Sequence, residues 1–239
     1  MSNPDEPNGP VLPGPGASDY ERYLRTDELL ALQREPAQQL HRDELLFQTV
    51  HQSSELWLKL ACAEVQQAAE LIDADRIGPA GRLLRRAVLC LQYVTAQLDM
   101  LDQLNPWEYH QIRLALGHGS GFDSPGFRQV ARVTPVLSGA FDRALERAGA
   151  PLTEIYRRPD EFDGLYDLAE LLTDWDERIT TWRSRHYGIV MRAIGEETVG
   201  TQGTPVPVLG KLVAQRRLPR LWEVRSRLVE LFEAEQTQP

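Results

Sequence analysis

The chain has 239 residues, 42% of them hydrophobic, and a formal net charge of -9. That length supports one sizeable core, or two small ones, without a disulfide. The acidic balance disfavours a general binder of nucleic acid or of an acidic membrane, because such partners reward basic surfaces.

Residues 1–18, MSNPDEPNGPVLPGPGAS, are rich in Pro, Gly and Asn and read as a disordered tail, leaving 19–239 as a single all-helical domain. Thr26 is placed to cap a helix whose first turn carries Asp27 and Glu28. A second helix is expected over 41–73. After Gly78-Pro79 a third runs over 80–103, with Leu84, Ala87, Leu91, Val94, Leu98 and Leu101 returning every three or four residues. Cys62 and Cys90 fall in these apolar stretches and read as buried free thiols. Asn105-Pro106 starts a short helix over 106–116, which the glycines of GHGSG at 117–121 interrupt. Ser124 followed by Pro125 has the form of an N-cap with proline at the first helical position. Pro135 is expected to end or kink that element, with a further helix over 138–148. The longest periodic stretch is 165–195, where Leu165, Leu168, Leu172, Trp175, Ile179, Trp182, His186, Val190 and Ile194 share one stripe and Gly195 supplies the C-terminal cap. A loop over 195–208 and a last helix over 219–234 complete the chain. No alternating strand pattern is present. No apolar run approaches the roughly 18 residues of a membrane span, and the acidic N-terminus lacks a signal-peptide pattern, so a soluble cytoplasmic chain is expected.

Four constellations carry chemistry, and each has a plainer structural reading beside it. His186 lies on an apolar stripe between Trp182 and Val190, flanked by Arg183 and Arg185. It is either a satisfied core histidine or an axial heme ligand, with the arginines neutralising propionates. Phe47 and His51 stand one turn apart in FQTVHQSSELWLKL and either line a pocket or form the polar seam of an amphipathic helix, with Glu55 pairing with Lys59. Arg128, one turn into the helix capped by Ser124, is either a solvated arginine or a bidentate carboxylate ligand. GTQGTP at 200–205 is a flexible hydroxyl-bearing loop that lacks the Walker pattern. His110 and His118 carry no spacing argument, and neither HExxH nor paired cysteines mark a zinc site.

Read together, YERYLRTDELLALQ, HRDELLFQTVHQSSELWLKL, SGFDSPGFR, WRSRH, GTQGT and LPRLWEVRSRL resemble, in order and placement, the tryptophan 2,3-dioxygenase family of heme proteins, over most of residues 20–230. The resemblance implies an all-α bundle binding heme b between helices. His186 is then the proximal iron ligand, with Trp182, Arg183 and Arg185 beside the cofactor. It implies His51 as the distal histidine facing the indole nitrogen, and Phe47 as the aromatic against the substrate ring. Arg128 matches the carboxylate clamp and Thr201 the residue of a closing loop near the ammonium group. Tyr20, Tyr23 and Leu24 match residues that a neighbouring subunit contributes, which implies a homotetramer with exchanged N-terminal segments. The implied reaction inserts dioxygen, O2, into the indole C2–C3 bond of tryptophan or a substituted tryptophan, giving an N-formylkynurenine.

Departures are local. Where the family pattern is SGFQSxQ[YF]R the chain reads SGFDSPGFR, with Asp123, Pro125 and Gly126 changed; where it is GTGGSSG the chain reads GTQGTPV, with Gln202 and Pro205. The stretch between Arg128 and His186 is also shorter by several tens of residues. The pocket wall and lid therefore differ. Mono-oxygenation of an indole amino acid, to a hydroxylated or 2-oxindole product, stays open as an alternative, as does hydroxylation of tyrosine. A heme sensor or inert helical scaffold would need His186 but not His51, Phe47 and Arg128 together.

Overall fold

The computed structural model describes residues 9–237. Eleven α-helices are present among them: α1 (Asp19–Leu24), α2 (Thr26–Leu30), α3 (Glu44–Asp73), α4 (Ile77–Ala96), α5 (Leu98–Leu101), α6 (Pro106–Ala115), α7 (Pro125–Ala148), α8 (Leu152–Arg157), α9 (Asp163–Ile194), α10 (Val206–Val213) and α11 (Pro219–Gln236). The only extended pairing among the described residues is a single bridge between Val199 and Pro205. The all-α expectation holds. No helix among the described residues is long and apolar enough to cross a membrane.

The core is the meeting of four long helices. From α3 it takes Leu58, Ala61, Val65, Ala68 and Ile72, and from α4 Leu84, Ala87, Leu91 and Val94. From α7 it takes Val130, Val133, Leu137 and Ala140, and from α9 Leu168, Leu172, Trp175 and Ile179. Spacings of three and four put each set on one face. The alanines let the helix axes approach closely, and each buried Leu or Val contributes about 1.5–3 kcal/mol. Trp175 is fully buried, and its indole N–H donates to Thr134 Oγ1 at 3.0 Å, so no polar atom of the ring is left unpaired. Cys62 and Cys90 are buried free thiols, as expected.

Several boundaries differ from the sequence reading. Thr26 is not a cap: Ser18 is, closing a reciprocal box with Glu21, while Arg25 turns the chain from α1 into α2 with φ 54°. The helix expected over 80–103 breaks at Gln97 into α4 and α5. Pro135 neither ends nor interrupts α7. It faces solvent, where the Ala131 carbonyl that loses its intrahelical donor can be hydrated instead. Helices α8 and α10 form in stretches with no expected helix, and α10 begins inside the expected loop. Ser124 caps α7 and Gly195, at φ 80°, ends α9, both as read. Of the expected tail, residues 1–8 lie outside the described residues. Residues 9–18 fold onto α1, with the Val11 and Leu12 N–H groups donating to Asp19 and the Arg22 Nε–H to the Gly16 carbonyl.

A second, smaller apolar cluster positions the site. Val50 of α3, Leu98 and Leu101 of α5 and Ile189 of α9 pack together, with Leu46, Phe47, Leu104 and Trp182 against them. This cluster brings the first half of α3 to the last half of α9.

A candidate active site between two histidines

His51 on α3 and His186 on α9 line one crevice. His51 is exposed and His186 half-buried by surface area, yet protein surrounds both closely enough that burial dominates their ionisation. A group that is reachable by solvent and still walled by protein lines an opening. Burial holds His51 below the ordinary imidazole range, against the Phe47 carbonyl and the Glu55 charge, which favour protonation. His186 is pushed down to about 4, by burial first and then by the field of His51. Both rings are therefore neutral near pH 7, and they lie within electrostatic reach of each other.

Each ring is held in a definite orientation. The His51 ring stacks on Phe47, centroids 4.0 Å apart. Its Nδ1 lies 2.7 Å from the Phe47 carbonyl oxygen, which can only accept, so Nδ1 carries the proton. In the neutral ring Nε2 is then a free acceptor. His186 stacks on Trp182, centroids 4.9 Å apart and planes within 11°, and Trp182 in turn lies 3.8 Å from Phe127 of α7. The ring nitrogens of His186 make no hydrogen bond to protein among the described residues. Gly121, in a short turn over Gly121–Asp123, crosses beside them; a Cβ there would stand 4.0 Å from His186 Cε1 and Nε2. An uncharged imidazole with an unused lone pair, bonded to no protein group, suits ligation of iron.

Glu55 was expected to pair with Lys59; it instead ties α3 to α7. Its carboxylate accepts from the Ser124 hydroxyl and, at 2.9 Å, from the Gly126 N–H. Gly126 is required there, since a Cβ would fall 2.7 Å from Glu55 Oε2 and Leu58 Cβ. The glycine that departs from the family pattern is thus the one that lets the two helices touch.

The structure does not bring Arg128 to the histidines. Gly126, Val130, Val133 and Leu137 face the core, and Arg128 lies about 200° around the helix from Gly126. It is exposed, on the side of α7 away from α3. The helix that meets Phe47 carries a different arginine, Arg113, on which the sequence analysis placed no reading. Tyr109, one turn before it on α6, lies 6.1 Å from Phe47, and burial pushes its phenol up. Arg113 is half-buried and its Nη2 donates to the Val199 carbonyl at 2.7 Å. The signal was available: Tyr109 and Arg113 repeat the one-turn spacing of Phe47 and His51.

Thr201 reaches the site region, with its hydroxyl donating to the Gly119 carbonyl at 2.5 Å. Arg185 is engaged by Asp99 and Asp102 of the α5 segment, and Arg183 by the Leu212 carbonyl in the last turn of α10 and the Gln215 carbonyl just beyond it. Tyr20, Tyr23 and Leu24 are exposed. His41, Asp43 and Glu108 also cluster, with ligand atoms within 4.8 Å of one another, where α3 begins beside α6. There the Asp43 N–H donates to His41 Nδ1, so the cluster reads as a polar junction. Two shallow cavities, of about 230 and 420 Å³, flank Asp142 and Arg220. They lie about 24 Å along α7 from Gly126 at 1.5 Å per residue, and neither is lined by a histidine.

Fold and site together define an all-helical protein with two neighbouring neutral imidazoles, the His186 ring bonded to no protein group among the described residues. Residues 7–140 match the family model described as tryptophan 2,3-dioxygenase. The chain is 31% identical to tryptophan 2,3-dioxygenase of Bacillus anthracis, over 87% of this chain and 92% of that one. It is 30% identical to that of Myxococcus xanthus, over 95% and 96%, and 32% identical to that of Caulobacter vibrioides, over 87% and 98%. The chain belongs to the tryptophan 2,3-dioxygenase family. The alignments run over 260 to 280 positions against 239 residues, so each relative has stretches with no counterpart here.

Proposed function

We propose that this chain is a heme-dependent oxygenase of an indole amino acid, inserting both atoms of O2 across the C2–C3 bond of L-tryptophan or a substituted tryptophan. The observation that carries the proposal is the pair of neutral imidazoles on one crevice, His186 with an unused lone pair and His51 with Nε2 unprotonated. His186 would hold the iron of heme b, and bound heme supplies the activation of dioxygen. The remaining work falls to the chain. His51 Nε2 accepts the indole N–H, fixing which edge of the ring faces the reacting partner. Phe47 and Tyr109 pack against the ring and keep water from it. Arg113 takes the carboxylate as a charge-assisted hydrogen-bond donor, and Thr201 stands at the ammonium end. Arg183 and Arg185 act by anchoring α9, so that His186 is held at one height.

Dioxygenation balances without another reactant, since both oxygen atoms leave in the N-formylkynurenine. Mono-oxygenation would require two further electrons and two protons for the second atom. The exposure of Tyr20, Tyr23 and Leu24 supports an N-terminal segment that packs on a neighbouring copy, in a homotetramer. The test is to reduce the heme-loaded protein without oxygen, add L-tryptophan, admit 18O-labelled dioxygen and weigh the product. Two labelled atoms in a ring-opened N-formylkynurenine are expected. One labelled atom in an intact indole-derived ring would overturn the dioxygenase reading in favour of mono-oxygenation.

A further inference from the structure

Loop 199–205 is fastened to the turn that crosses His186. Thr201 Oγ1 donates to the Gly119 carbonyl. Gln202 Nε2 donates to Asp123 Oδ2 at 2.7 Å and to the His118 carbonyl at 3.2 Å. Arg113 Nη2 donates to the Val199 carbonyl. Asp123 Oδ2 also accepts from the Ser120 N–H at 3.0 Å, closing the small capping box that shapes residues 120–123. A single carboxylate oxygen therefore both folds the turn carrying Gly121 and receives the loop carrying Thr201. Within the loop, the Gly200 N–H donates to the Thr204 carbonyl and Gly203 turns at φ 76°, so the segment is folded as one hairpin-like unit. Two of its holds on the rest of the molecule are charge-assisted, which strengthens a hydrogen bond about twofold: the Arg113 bond at its start and the amide-to-carboxylate bond beside Thr201. Gln202 and Asp123 are also positions where the chain departs from the family pattern, one in each of two segments 79 residues apart, and they meet.

We infer that Gln202 and Asp123 are positioning residues forming a latch that holds the Thr201 loop closed over the histidine crevice before substrate arrives. In what the latch does for substrate, the inference rests on the reading of His51 and His186 given above. A preformed closed loop presents Thr201 in place and makes loop opening a step in both entry and exit. Breaking the latch then speeds substrate exchange and weakens binding, while iron ligation and helix content stay as they are.

The test uses four forms of the full chain: wild type, Gln202→Ala, Gln202→Glu and the pair Asp123→Asn with Gln202→Glu. Gln202→Glu sets two carboxylates against each other, whereas the pair restores a donor and an acceptor with their positions exchanged. In the heme-free protein, amide hydrogen exchange at 199–206 is expected to speed up in Gln202→Ala and further in Gln202→Glu, and to return toward wild type in the pair. In the heme-loaded protein, L-tryptophan dissociation, followed through the heme absorption band, is expected to accelerate about threefold in Gln202→Ala, the size of one solvent-exposed hydrogen bond. Unchanged exchange in both single variants overturns the latch. Faster exchange with unchanged tryptophan dissociation overturns the positioning role. If exchange responds as expected but wild type binds no tryptophan, the latch stands and the proposed function fails.

Discussion

The two longest helices each have two unlike halves. From Leu58 to Ile72 one face of α3 is dry, and from Leu168 to Ile179 so is one face of α9; these stretches supply most of the core from those helices. Before Leu58, Glu44 and Val50 are the only buried residues of α3, and after Ile179 only Ile189 is buried on α9. Both histidines sit in the open halves. The lesson is that the bundle overshoots its own core: two helices are extended past the point where apolar packing ends, and a four-residue cluster around Val50 and Ile189 holds the overhang together. A cofactor with a large apolar face would complete the packing that the overhang lacks. Stability and chemistry therefore belong to different segments of the same helices, and they can be broken separately.

The largest expected separation comes from His186→Gln. If His186 holds the iron as proposed, heme should be retained poorly and without the absorption band of a histidine-ligated iron. The far-ultraviolet circular dichroism and Tm of the heme-free protein should stay near wild type, because the ring is only half-buried and bonds to no protein group. A heme-free variant that fails to fold would place His186 in the structural half instead.

Next in size is the contrast between two arginines. Arg113→Ala should raise the KM for an amino-acid substrate by one to two orders of magnitude, the cost of about 1.5–3 kcal/mol for a lost charge-assisted bond. Arg128→Ala should leave KM within about twofold, as for a solvated surface charge. Steady-state kinetics on both variants decide this. A large effect at Arg128 with none at Arg113 would reverse the assignment and mean that the outer face of α7 meets substrate, as it would if that face joined a neighbouring copy's site.

Those two arginines also mark the limit of what the sequence made legible. The helices of the core could be read because a dry face needs apolar residues every three or four positions, and Leu84 to Val94 or Leu168 to Ile179 satisfy that without reference to any partner. Phe47, His51, Trp182 and His186 could be read because each pair stands one turn apart on a single helix. Arg128 drew a reading and Arg113, which the proposed function uses instead, drew none, because their difference is one of direction. Which way a helix faces depends on Gly126 meeting Leu58 and Glu55, contacts between segments about 70 residues apart. The Asp123 to Gln202 bond was illegible for the same reason: both positions showed as isolated departures, and only the fold makes them neighbours. Pro135 misled in the opposite sense, since a proline on the solvent side of a long helix costs one backbone bond that water can replace.

A smaller effect probes the two halves of α3 by stability alone. Leu58→Ala, in the dry half, should cost about 3 kcal/mol, or about 10 °C in Tm for a chain of this size. Leu46→Ala, in the half-buried overhang, should cost about 1 kcal/mol. Thermal unfolding of the heme-free protein measures both. Equal losses would mean that the overhang is as tightly packed as the core, and that the division drawn between the halves is wrong.

The smallest expected effect is a slope. Cys62, four residues beyond Leu58, is buried, and burial, with the Glu55 charge second, pushes its thiol up to about 11 from an ordinary 9.0. Above pH 9 the unfolded chain sheds this proton while the native chain keeps it. The native state therefore binds more protons, and the contribution of the neutral thiol to stability is lost as pH rises from 9 toward 11. For one proton the slope is at most about 1.4 kcal/mol per pH unit. Urea unfolding of wild type and Cys62→Ala across that range isolates it, because lysines and tyrosines titrate equally in both proteins. The variant should start less stable by the lost sulfur and then fall more slowly, so that the two curves converge toward pH 11. Parallel curves would mean that water reaches the thiol, and that the dry half is wetter than its packing implies. The same desolvation acts at the other end of the helix on His51, but with a different consequence. In the core it keeps neutral a group that never needs to ionise; in the crevice it keeps neutral the nitrogen whose lone pair the proposed chemistry uses.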